Sequence, residues 1–119
     1  MYLTIFPCTF LTHLILFSTL LLGTLIFSSR IFCATVHLAW DKPANTKNII
    51  GYNIYCAPSG SSFPEQASQV VNDPHQTSCS ISGLTEGKIY GFTATSFDAN
   101  RNESDYSNTV YYTVPPTPT

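Results

Sequence analysis

The hydrophobic rhythm of the chain changes once, near residue 34. From Met1 to Ser29 no side chain is charged, and Leu14–Phe27 reads LILFSTLLLGTLIF, almost unbroken. Beyond it, apolar residues fall at every second position. Val36, Leu38 and Trp40 share one face of 35–40, as in a half-buried strand. Tyr52, Ile54 and Cys56 do so in 50–56, Cys79 and Ile81 in 77–82, and Tyr90, Phe92, Ala94 and Ser96 in 88–97. Val110, Tyr112 and Val114 close the series in 107–114, and Gln69-Val70-Val71 is a short, weaker strand. Turn residues separate these runs: Asp41-Lys42-Pro43, Pro58-Ser59-Gly60, Asn72-Asp73-Pro74, Glu86-Gly87 and the polar stretch Asp98–Asp105. Six strands with no helical periodicity between them predict an all-β, two-sheet sandwich over residues 35–114. Pro115-Pro116-Thr117-Pro118-Thr119 cannot join a ladder and reads as a Pro/Thr-rich extended tail.

The N-terminal stretch, residues 1–34, predicts a membrane address. As a helix, 14–27 would span about 21 Å, short of a hydrocarbon core of about 30 Å; extension back to Thr9 brings it to the lower edge of a span. A secretory signal peptide cut near Ser28–Ala34 and a retained anchor touching the membrane through residues 9–28 both fit. No Lys or Arg precedes the apolar run, and Arg30 follows it.

Charge narrows the function. Residues 35–119 hold four basic and seven acidic side chains, net −3, so no basic surface exists to track phosphates and nucleic acid is not an expected partner. About 85 residues bury one modest core.

Four residues sharpen the class. Trp40 ends the first strand, Tyr52 begins the second, and Leu84 and Tyr90 stand six apart across a Gly-containing corner. In the stretches VHLAWDKP, IIGYNIY, SISGLTEGKIYGFTATSFD and NESDYSNTV, the chain resembles a single fibronectin type III domain, an immunoglobulin-like sandwich. The resemblance implies that Trp40 plugs the space between the sheets and that the Tyr90 hydroxyl bonds backbone near Leu84, with Gly83 and Gly87 relaxing the corner. The family's opening strand would fall at about Leu25–Ala34, inside the apolar segment. A chain cut there has six strands and an open sheet edge, which is an aggregation template; uncut, Ile31–Cys33 supplies at most a stub.

Candidate chemistry is sparse. Cys56 and Cys79 both point inward by alternation and are a candidate disulfide, although the family layout starts their strands from opposite ends and argues against the approach a bond needs. Cys8 and Cys33 belong to the leader. Asp98–Glu103 has the outline of a calcium loop, but Glu103 stands where glycine is required and Thr109 where the bidentate glutamate belongs, so local turn bonding explains it better. Asn102-Glu103-Ser104 is a formal N-glycosylation acceptor. His37 and His75 have no nucleophile or carboxylate at a readable spacing. No catalytic, metal or cofactor site is expected. Tyr55 and Tyr111 should face outward from one sheet, with Phe97 near the loop. Such a stripe could stack on a sugar or a protein partner, although ordinary cross-strand aromatic pairing explains it better. The expected function is a non-catalytic extracytoplasmic binding, adhesion or spacer module. The alternatives are an accessory domain of an exported polysaccharide-degrading enzyme, of which this chain is a fragment, and a small single-span membrane protein.

Overall fold

The computed structural model describes residues 1–6, 34–44 and 47–116. The membrane-contact stretch 9–28, Cys8, Cys33, most of the cleavage zone and the end of the tail lie outside them.

Among the described residues, seven strands form two antiparallel sheets. The first sheet is β1 (Leu3–Phe6), β2 (Val36–Trp40) and β5 (Ser78–Ile81), in that order. The second is β4 (Gln69–Val71), β3 (Ile49–Pro58), β6 (Ile89–Asp98) and β7 (Val110–Thr113). Alternation chose the inner faces correctly. Val36, Leu38 and Trp40 face Tyr52, Ile54, Phe92 and Ala94 across the interior, and Cys56, Cys79, Leu84, Tyr90, Val110 and Tyr112 pack around them. The Trp40 and Tyr52 rings meet edge to face, centroids 5.2 Å apart. Small residues stand beside the large ones: Ser96 pairs with Tyr52 and Ala94 with Ile54 in the β3–β6 ladder, which leaves volume for the two rings.

The expectation of a missing or vestigial first strand is corrected. Leu3–Phe6 pairs antiparallel with β2, Leu3 opposite Trp40 and Phe6 opposite His37, and Leu3 is fully buried in the core. Periodicity hid it, because Tyr2, Leu3, Ile5 and Phe6 merge with the apolar stretch that follows. Strand β7 also starts later than 107. Ser104 Oγ and Ser107 Oγ accept the Ser96 and Ala94 amides, each at 3.0 Å, where a regular ladder would present carbonyls. The backbone amides of Ser104 and Ser107 return bonds to the Ser96 and Ala94 carbonyls at 2.8 Å. Residues 103–107 therefore follow β6 as an irregular extension.

The corner before β6 is built as the resemblance implies. Thr85 N–H donates to the Tyr90 hydroxyl at 3.0 Å, one residue past Leu84. Gly83 and Gly87 sit at φ 76° and 75°, which side-chain-bearing residues avoid. Tyr52 donates to the Pro74 carbonyl at 3.0 Å. Trp40 Nε1 has no hydrogen-bond partner among the described residues.

Candidate binding face on the four-stranded sheet

The outward positions of the larger sheet are Asn53, Tyr55 and Ala57 on β3, Gly91, Thr93, Thr95 and Phe97 on β6, and Tyr111 on β7. The expected open stripe of Tyr55, Phe97 and Tyr111 is corrected for two of the three. Tyr55 and Phe97 are 3% and 1% exposed, whereas Tyr111 is 63% exposed. The loop after β6 folds back over the sheet and covers the first two.

One carboxylate fastens that cover. Glu103 Oε1 accepts from Thr95 Oγ1 at 2.6 Å, from Asn53 Nδ2 at 2.7 Å and from the Tyr55 hydroxyl. Desolvation works to raise the Glu103 carboxyl, but these three donors outweigh it and hold the group below its ordinary value. The same arrangement pushes Tyr55 up to about 12, through burial first and then through Glu103. Asp98 ties the loop's root: its Oδ1 accepts the Asn100 and Asn102 amides, both at 2.9 Å, and its acidity rises chiefly through the Asn102 bonds. Arg101 turns at φ 66° and lays its guanidinium 4.9 Å from the Phe97 ring centroid. Phe97 in turn covers Gly51, where a Cβ would lie 2.6 Å from Phe97 Cζ and 2.3 Å from the Val71 carbonyl oxygen.

Aromatic surface remains beside the cover. Tyr106 packs its ring on Tyr55 and Phe63, centroids 5.5 and 5.8 Å away, and is still 56% exposed. The Tyr111 ring lies over Gly91. Sequence reasoning missed Tyr106, Phe63 and Glu103. The signal was the serine pair in ESDYSN, whose spacing brings the loop back along β6 and carries Tyr106 with it. Shallow hollows of about 390 and 270 Å³ flank Asp98.

The remaining candidates are elsewhere. Cys56 and Cys79 are free thiols, so the candidate disulfide is not formed, and burial pushes both up to about 11. Asn102 is exposed, its amide donating to Asp98 Oδ2 at 3.2 Å. No group of three metal-ligating side chains exists among the described residues, and no described helix is long and apolar enough to cross a membrane.

This two-sheet sandwich, with the Trp40–Tyr52 plug and the Tyr90 corner, defines an immunoglobulin-like β module. The fibronectin type III domain model matches residues 26–113, and the chain belongs to that family. Its domains are commonly binding or spacer modules, typically extracellular and non-catalytic. No curated protein matches the chain. Among solved structures it is similar to the sixth fibronectin type III domain of human fibronectin type III domain containing protein 3, with 16% identity, TM-score 0.60, 75% of this chain and 79% of that one. It is also similar to a β-1,2-glucanase from Parabacteroides distasonis, with 25% identity, TM-score 0.57 and 71% of this chain. A Yersinia enterocolitica family 28 exopolygalacturonase gives 18% identity, TM-score 0.55 and 71%. The matched region spans only 11% and 18% of those two enzyme chains.

Proposed function

We propose that this chain is a non-catalytic extracytoplasmic binding module whose contact surface is the tyrosine face of the four-stranded sheet. The observation that carries this is the pair Tyr106 and Tyr111, 56% and 63% exposed yet each seated on a fixed support, Tyr106 on Tyr55 and Phe63, Tyr111 on Gly91. Rings held in this way lose little entropy on binding and offer an apolar face with a polar tip, which suits a sugar ring or a protein surface. Residues 1–34 act as the export signal or anchor in this reading, and Asn102 is an open acceptor for glycosylation in a host that performs it. Binding to a panel of polysaccharides and surface proteins tests the face. Tyr106→Ala and Tyr111→Ala should each abolish retention while the chain still melts cooperatively, Tyr111→Ala at the parent temperature; retention unaffected by both would move the contact elsewhere.

The likeness to domains within a glucanase and an exopolygalacturonase supports a second reading, an accessory domain of an exported polysaccharide-degrading enzyme. Reading the DNA beyond the last codon decides it, since a frame continuing into a catalytic domain is required.

A further inference from the structure

We propose that the edge of β2 is a strand-accepting site, filled in cis by Leu3–Phe6 and suited in trans to an extended apolar segment of a partner chain. It belongs to the sheet opposite the tyrosine face and is independent of that face, but its choice of occupant rests on the reading of residues 1–34 as an export signal or anchor.

The slot recognises backbone. Asn108 Oδ1 accepts the Leu3 amide at 2.8 Å, and Asn108 Nδ2 donates to the Leu3 carbonyl at 3.1 Å. Asp41 N–H donates to the Tyr2 carbonyl at 3.1 Å. A side-chain amide that grips both polar groups of one residue can hold any extended segment in that position. Selectivity comes from a single pocket. Leu3 is fully buried among the core residues, Ile5 is half-buried, and Tyr2 and Phe6 stay exposed. The slot thus asks for a branched aliphatic anchor with apolar residues two positions before and two positions after it, as Met1 and Ile5 flank Leu3.

The covalent connection that returns β1 to β2 is long. Phe6 lies opposite His37, a pairing that a tight turn could join, yet residues 7–35 intervene. The effective concentration of a tethered segment falls as its tether lengthens. The family match begins at residue 26, so β1 lies outside the stretch that it covers. The uncharged run 14–27 lies within the tether. If that run crossed a membrane once, or left with a cleaved leader, β1 would be parted from the slot. In both states no copy of the chain keeps β1 on the domain's side, so the occupant is a segment of a different chain. An unfilled edge of this kind is a template for strand addition.

The test uses the full chain and a fluorescent peptide of residues Met1–Phe6 as probe. Leu3→Asp places a carboxylate in the slot and evicts β1. This variant should bind the peptide at least about tenfold more tightly than the parent, and adding Asn108→Ala should reverse most of the gain. Equal binding to parent and L3D, or equal binding of a peptide with Asp in place of Leu3, would overturn the proposal. A second measurement stands whether or not L3D folds. Thr4→Cys and Ala39→Cys lie opposite each other in the register, in a chain whose four native cysteines are changed to alanine. Excess peptide should slow their internal disulfide severalfold; an unchanged rate overturns the exchange. Disulfide-linked dimers on mixing a T4C chain with an A39C chain would give the slot to a second copy and overturn the assignment to a partner.

Discussion

The two faces of β3 and β6 are buried to the same degree by different chemistry. On the inner face, Tyr52, Ile54, Phe92 and Ala94 meet Trp40, Leu38 and Val36 of the other sheet. On the outer face, Tyr55, Thr93, Thr95 and Phe97 are equally hidden, but by one loop held through hydroxyls and the Glu103 carboxylate. The inner layer is stabilised by transfer of apolar surface, which has no pH dependence and little geometric demand. The outer layer depends on donors and acceptors that satisfy one another, so losing one leaves another buried and unpaired. Substitutions on the two faces should therefore differ in size, in pH response and in what they do to binding.

The largest effect belongs to the inner face. Trp40→Ala removes the plug between the sheets and should cost about 3–5 kcal/mol, a large fraction of the stability of a domain this small. Lost near-UV dichroism and a non-cooperative melt are expected. Trp40→Phe should cost far less, because the indole N–H that it deletes has no hydrogen-bond partner among the described residues. A native-like melt for W40A would show that the inner layer is not the main support.

Gly51, beneath Phe97 on the outer face, comes next. Its Cβ would enter the Val71 carbonyl oxygen at 2.3 Å, and backbone cannot swing aside as a side-chain tip can. Gly51→Ala should cost about 2–3 kcal/mol through overpacking, shifting β4 or lifting Phe97 from the sheet. Amide hydrogen exchange would locate the damage in β4 and the 98–103 loop. Unchanged protection there would mean that the close packing on Gly51 is not needed.

The difference in chemistry also explains what could be read along the chain. The inner face follows a period of two, so Val36, Leu38, Trp40, Tyr52, Ile54, Phe92 and Val110 were assigned correctly, and Trp40, Tyr52 and the Tyr90 corner named the family. The outer face has the same period, but whether it is wet or covered is decided by a loop many residues away. Tyr55 and Phe97 were therefore placed on the right face and expected in solvent. Tyr106 lay unnoticed in a polar run because its partner, Tyr55, is distant in sequence. Leu3–Phe6 was missed for the opposite reason, since an apolar strand beside an apolar stretch has no contrast.

Glu103 sets the pH response of the outer face. Its carboxyl is held below its ordinary value of 4.5, so its contribution is complete above that pH and is lost as pH falls through the lowered native value. Glu103→Gln keeps an acceptor but removes the charge, and should cost about 1 kcal/mol at neutral pH, discounted for the exposure of this side chain. The stability gap between parent and variant, from denaturant melts at descending pH, should narrow toward acid. A gap that widens in acid would mean that repulsion, not these bonds, governs the loop. Spectroscopic titration should find Tyr55 ionising near pH 12, and Tyr55→Phe should remove that step.

Gly91→Ala is the smallest change and the most selective. The added Cβ would stand 3.2 Å from Tyr111 Cε1, tighter than ordinary contact, but the atom it meets belongs to a ring 63% exposed, so a small outward tilt relieves it. No backbone atom is among its nearest neighbours, in contrast to Gly51. Alanine also narrows the unfolded ensemble, which favours the folded state by about 0.4–1 kcal/mol where the backbone conformation permits it. The tilt and the entropy gain oppose each other, and stability should change by less than about 0.5 kcal/mol. The tilt nevertheless moves the ring that the proposed contact surface relies on. G91A should therefore melt like the parent while weakening retention on whichever partner Tyr111→Ala releases. If G91A bound as the parent does while Y111A did not, the support under Tyr111 would be irrelevant and only the presence of the ring would matter.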